Sequence, residues 1–118
     1  MITIYGIKNC DTMKKTFVWC RENKLDYTFH DYRKDGVPQQ KLRAWCAVRP
    51  YLSLINTRGP TWRKLSAERQ AVDTLDDAIA LMTEYPALIR RPIIEKPDAD
   101  IAIGFDPAQL DSLLPLHP

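Results

Sequence analysis

Three cysteines, Cys10, Cys20 and Cys46, are the side chains of this chain best suited to covalent chemistry. Cys10 stands apart because it follows a Lys8-Asn9 turn and opens a helical pattern. A cysteine at a helix N-terminus faces unpaired backbone N–H groups and the positive end of the helix dipole, and both stabilise the thiolate. Lys8, and Lys14 or Lys15 in the first helical turns, would add cationic stabilisation if they face the sulfur. A turn cysteine can instead simply pack as a small apolar side chain. The strand-loop-cysteine-helix context favours a reactive Cys10.

A reactive thiol needs a second one to release a mixed disulfide. Position 13 is methionine, so Cys10-Asp11-Thr12-Met13 has no resolving thiol of its own. Cys20 lies ten residues further along the same helix, about 15 Å away at 1.5 Å per residue and out of disulfide reach. Cys46 shares an apolar helical face with Leu42 and Trp45, which suits a small buried hydrophobe better than a resolving role. Glutathione is then the natural second thiol. The odd cysteine count and irregular spacing argue against a disulfide framework, and isolated His30 and His117 provide no metal-ligand spacing, so no metal is expected.

Two further features bear on a thiol site. The Arg91-Pro92 bond precedes a strand, and an X-Pro bond there is either cis or the ordinary trans proline of a strand's first residue. Arg91 beside a thiolate would favour the charged sulfur and could pair with a carboxylate or oxyanion. A Cys-x5-Arg phosphate loop is excluded, since Thr16 occupies the place of its arginine. The pairs Asp76-Asp77 and Asp98-Asp100 fall at an expected helix start and a turn, where carboxylates cap or are solvated.

The elements that would position Cys10 follow from periodicity. Ile2 to Tyr5 is a buried first strand stopped by Gly6. Residues from about Thr12 to Lys24 carry Met13, Phe17 and Cys20 at helical spacing, with Asp11 or Thr12 as N-cap. Tyr27 to Tyr32 alternate as a second strand closing at Asp35-Gly36, and strand, helix and strand make a right-handed parallel βαβ unit. Pro38 opens a helix through Leu42, Trp45, Cys46 and Arg49 that Pro50 ends. Short helices are expected at Leu52 to Ile55, Trp62 to Leu65 and Ile79 to Met82, the last behind a Thr74-x-x-Asp77 cap, broken at Gly59-Pro60 and Pro86. Pro92 to Lys96 and Ile101 to Gly104 flank a Pro97-Asp98-Ala99-Asp100 turn as a hairpin. Asp106 and Pro107 start a closing helix through Leu110, Leu113 and Leu114.

The fold expected is therefore α/β (α+β): a thioredoxin-like βαβ…ββα core with a central all-helical insertion. A single domain spans residues 1–118, with the core at about 1–36 and 87–118 and the insertion at about 37–86. A composition of 45% hydrophobic and 27% charged residues is that of a soluble globular protein, and no apolar run reaches membrane-spanning length. Met-Ile-Thr-Ile-Tyr does not read as a secretion signal, so a cytoplasmic location is expected. A net charge of +2 offers no broad cationic field for nucleic acid. Lys8, Lys14, Lys15, Arg58, Arg90 and Arg91 could still converge on one edge and suit a small anion.

Ile-Thr-Ile-Tyr, Asn9-Cys10-Asp11-Thr12-Met13-Lys14-Lys15, Asn56-Thr57-Arg58-Gly59 and Ile89-Arg90-Arg91-Pro92-Ile93-Ile94 together resemble the arsenate reductase (ArsC/Spx) family over nearly the whole chain. The Cys-Asp-Thr-Met-Lys-Lys form is similar to its YffB subgroup of glutathione-dependent thiol reductases. The resemblance implies a nucleophilic Cys10, oxyanion-binding Arg58 and Arg91, and a cis Pro92. Combined with the thiol argument, it implies that Lys8, Asn9, Arg58, Arg91 and Pro92 meet substrate or glutathione. Two departures stand out: Gly6 replaces a histidine of the arsenate reductases, and their third arginine falls on Asp106. Spx-like members are regulators that bind RNA polymerase, many with a Cys-x-x-Cys switch that Met13 removes here. The reading is a monomeric, glutathione-dependent thiol-disulfide oxidoreductase with no tightly bound cofactor. Glutathione is its co-substrate and glutaredoxin a further partner, and it binds neither nucleic acid nor membrane. The alternatives are arsenate reduction and polymerase binding without catalysis.

Overall fold

A computed structural model describes residues 2–8, 10–98 and 100–111. In chain order they form β1 (Ile2–Gly6), α1 (Asp11–Glu22), β2 (Tyr27–Asp31), α2 (Tyr32–Asp35), α3 (Gln39–Val48), a 3-10 turn at Tyr51–Leu54, α4 (Pro60–Arg63), α5 (Ala67–Gln70), α6 (Leu75–Glu84), a 3-10 turn at Pro86–Leu88, β3 (Ile93–Glu95), β4 (Ile101–Ile103) and α7 (Pro107–Leu110). The described chain divides into two compact units, one built from residues up to Asp35 and from Arg91 onward, the other from Gly36–Arg90.

The first unit is the expected βαβ…ββα arrangement on a four-stranded mixed sheet of order β2-β1-β3-β4. β1 and β2 are parallel, while β3 is antiparallel to β1 and to β4. Register places Phe29, Ile4, Ile94 and Ala102 in one row across the four strands. Because strand side chains alternate between faces, this row presents one apolar face. Met13 and Cys20 from α1 and Leu110 from α7 pack into the same buried cluster. Phe17 extends it, edge-on to Phe29 and stacked on Tyr27. Cys20 is thus a core residue, as its helical spacing predicts.

Three local readings shift. The N-cap of α1 is Cys10 itself rather than Asp11 or Thr12, so the sulfur sits at the helix mouth. α1 also ends at Glu22, where Lys24 turns into the left-handed region at φ 54° and lets the Leu25 N–H donate back to the Cys20 carbonyl at 2.9 Å. Tyr32 belongs to the turn of α2 and not to β2, because Asp31 accepts the Arg33 N–H at 2.9 Å and bends the chain.

Residues 36–90 carry their own buried apolar set, including Leu42, Trp45, Leu54, Ile79, Met82 and Leu88. Helices α3 and α6 pack against each other. Thr74 caps α6 by accepting the Asp77 N–H at 3.1 Å, as the Thr-x-x-Asp pattern predicts. Pro60 and Pro86 begin elements instead of breaking them, because proline's missing N–H is unneeded in a first turn. Ser66 likewise opens α5, accepting the Arg69 N–H at 3.2 Å, a helix that periodicity alone does not suggest. This segment is not wholly helical, since Ile55 and Ile89 form an antiparallel bridge. The closing helix starts as expected, with Asp106 accepting the Ala108 N–H at 3.0 Å. Leu113 and Leu114 lie outside the described residues.

Candidate active site

Strand register decides which loops meet. β1 runs out at Gly6 toward Cys10. β2 is parallel to it with Asp31 opposite Gly6, so Tyr32 leaves the sheet at the same end. β3 is antiparallel with Ile93 opposite Tyr5, so Arg91 and Pro92 enter the sheet there too. Three segments distant in sequence therefore meet at one sheet end, with the Cys10 loop between the other two.

Cys10 has an extended backbone, φ −115° and ψ 134°, and its carbonyl accepts the Lys14 N–H at 3.0 Å as the first bond of α1. The thiol is half-buried and makes no side-chain capping hydrogen bond. Its strongest single influence is burial, which raises its pKa. The backbone N–H groups of Met13 and Thr12, the Arg91 charge and a hydrogen bond from Arg91 together outweigh burial, and the net shift is downward from 9.0. The helix start acts as expected of a thiolate site. The cation is Arg91, half-buried beside the sulfur; Lys8, Lys14 and Lys15 are exposed and none of them is among the groups that shift Cys10.

The other two cysteines behave oppositely. Burial pushes both the Cys20 and the Cys46 thiol up, and Arg43 only partly counters it at Cys46. Cys46 is half-buried, because only Leu42 and Trp45 of its helical face are fully enclosed.

The Arg91–Pro92 bond is cis, and the buried Pro92 accepts the Gly104 N–H at 2.8 Å. Asn9 lies outside the described residues. Arg58 belongs to the unit 36–90, where it is exposed and its backbone N–H donates to Asn56 Oδ1 at 3.1 Å. A Cβ on Gly59 would come within 2.8 Å of the Asn56 amide nitrogen, which explains the Asn56-x-x-Gly59 spacing around that arginine. Arg90 belongs to the same unit, its N–H bonded to the Leu54 carbonyl at 2.8 Å. Gly6 touches Met13, whose sulfur would lie 2.5 Å from an added Cβ. The methionine that replaces a resolving thiol therefore also fills the space over Gly6.

One residue at this sheet end enters the sequence reading only as the end of a strand, not as part of the site. Tyr32 is 2% exposed and its hydroxyl has no hydrogen-bond partner among the described residues. Its position directly after the second strand of a parallel βαβ unit is the sequence signal that places it beside the Cys10 loop. Among the described residues, no cluster of His, Cys, Asp and Glu could hold a metal ion. What the site offers chemically is a stabilised thiolate with one guanidinium donor.

Comparison with known proteins bears on the fold and the family. The YFFB (PA3664) protein superposes with a TM-score of 0.91 at 38% identity, covering 98% of this chain and 100% of that one. An arsenate reductase (ArsC) related protein from Brucella melitensis matches at TM-score 0.75 and 40% identity over 94% of this chain and 92% of that one. Global transcriptional regulator Spx 2 of Bacillus anthracis is 25% identical over 98% of this chain and 88% of its own. The family model matches residues 5–113, and the chain belongs to the ArsC family.

Proposed function

We propose that this chain is a cytoplasmic, monomeric thiol reductase that uses Cys10 as its single nucleophile and glutathione as co-substrate, with glutaredoxin as an alternative reductant. The observation that carries this reading is the place of Cys10 as the N-cap of α1, at the sheet end that Arg91 also reaches, where helix start and guanidinium both favour the thiolate. Met13 stands where a resolving cysteine would be, so the second thiol must come from outside.

The Cys10 thiolate attacks the glutathione sulfur of a substrate mixed disulfide. A Cys10–glutathione disulfide forms and the substrate leaves as a thiolate, which takes a proton from water. A second glutathione thiolate attacks the glutathione sulfur of that adduct, giving oxidised glutathione and returning the electron pair to Cys10. Arg91 stabilises the Cys10 thiolate both as attacking and as leaving group. Lys8, Asn9, Arg58, Arg91 and Pro92 are the residues this proposal assigns to glutathione, with the cations pairing its carboxylates. Full glutathione-dependent reductase activity in Cys10→Ser would overturn the reading.

A second reading has its own observation, the similarity to Spx 2 over nearly the whole chain. Equal recovery of RNA polymerase subunits by wild type and Cys10→Ala would favour such an adaptor. Arsenate-dependent turnover with glutathione and glutaredoxin is expected to be little or none, given Gly6 and Asp106.

A further inference from the structure

Tyr32 is a buried polar side chain that the mechanism above leaves unused. Its hydroxyl oxygen is shielded from solvent and unpartnered among the described residues. The ring stacks on Tyr5 at 6.4 Å and meets His30 edge-on at 6.0 Å, contacts that hold it in place without satisfying the hydroxyl. Strand register brings Tyr32 and Arg91 to the same end of the sheet, on opposite flanks of β1. The Arg91 charge acts on both Cys10 and Tyr32.

We propose that Tyr32 is a positioning residue for Arg91, its hydroxyl oxygen accepting a guanidinium N–H when Cys10 is held in a mixed disulfide. A guanidinium has only donors, so it can pair only with acceptors. In the resting state its acceptor is the thiolate sulfur. When that sulfur bonds to an incoming sulfur and the other half of the disulfide leaves with the electron pair, the negative charge at Cys10 is gone. Arg91 then lacks its partner while Tyr32 still has an unused acceptor at the same end of the sheet. Pairing the two satisfies the buried Tyr32 hydroxyl and the half-buried Arg91 in the adduct and shifts the equilibrium toward it. It also keeps Arg91 within reach of the thiolate that the second step regenerates. This deepens the thiol-reductase reading and needs only that Cys10 form a mixed disulfide, whatever the second thiol.

The test is the equilibrium constant for Cys10 adduct formation, measured by intact mass with oxidised glutathione and with bis(2-hydroxyethyl) disulfide in a Cys20→Ala, Cys46→Ala background. Tyr32→Phe should lower the constant about tenfold with both probes, the worth of one charge-assisted hydrogen bond. The pH inflection of Cys10 alkylation should stay in place, a pattern that general loosening would not produce. In an Arg91→Met background the Tyr32→Phe effect should vanish. An unchanged constant, or an effect that survives without Arg91, overturns the proposal. Should Tyr32→Phe fail to fold, 19F spectra of 3-fluorotyrosine-labelled wild type decide instead: the Tyr32 resonance must shift on adduct formation, and a static one overturns it. An adduct with the hydroxyethyl probe but not with glutathione would sink the glutathione assignment alone. No adduct with either probe would sink both.

Discussion

At Cys10 the backbone does most of what a reactive thiol needs, since the Met13 and Thr12 amides outrank Arg91 among the influences that favour the thiolate. Arg91→Met should therefore raise the alkylation inflection of Cys10 and slow alkylation several-fold at neutral pH, without restoring an ordinary buried thiol. Lys8→Met and Lys15→Met should leave the inflection in place, because neither lysine contributes to it. A pH series of iodoacetamide labelling checks all three. Met13→Cys should convert the site to an internal dithiol, because residues three apart on a helix face lie about 5–6 Å apart. Mass spectrometry should then show an intramolecular disulfide with Cys10 and a lost glutathione adduct. That Cys10 is the nucleophilic candidate is legible from residue order alone, because a helix start is a local event. Which cation serves it is not, since the lysines are adjacent in sequence and Arg91 is not.

Among the elements, the Gly6 end of β1 and the first turn of α1 are coupled through Met13, which is fully buried over the glycine. Gly6→Ala should cost about 1–3 kcal/mol, as overpacking does. Met13→Ala should cost about 2–5 kcal/mol by leaving a cavity. The double variant should cost less than the sum, since the added methyl occupies part of that space. Urea midpoints measure the cycle, and strict additivity would show that the contact carries no strain. Thr74→Ala should cost about 1 kcal/mol through the lost α6 cap, a feature the Thr-x-x-Asp pattern already displays. The strands, α1, α3, α6 and the hairpin were equally legible, because their periodicity and punctuation are local. The start of α1 at Cys10, the turn at Tyr32, and α5 were not. Each depends on a side chain or backbone group closing a particular hydrogen bond.

Across the whole molecule, the thiols and Tyr32 set opposing slopes of stability in alkali. Cys10 is lowered from 9.0, so its ionisation favours the fold above that value, a contribution lost as pH falls through its folded pKa. Cys20 and Cys46 are raised from 9.0, and Tyr32 from 10.0, all by burial first; the stability each lends is complete below those values and lost as pH rises through its folded pKa. The net expectation is a urea midpoint that declines above about pH 9. The decline should be steeper in Cys10→Ala and shallower in Cys46→Ala; parallel curves would mean these ionisations do not differ between folded and unfolded states. The amino-acid order by itself determined the strands, the longer helices, the Thr74 and Asp106 caps, and a lone thiol near a helix start with no partner in its own motif. All of these arise within one or two turns of chain. Only the tertiary structure decided the sheet order β2-β1-β3-β4, the approach of Arg91 to Cys10, and the enclosure of the Tyr32 hydroxyl. The reason is register: burying the row Phe29, Ile4, Ile94 and Ala102 fixes which strand ends coincide, and that choice brings residues far apart in sequence to one thiolate.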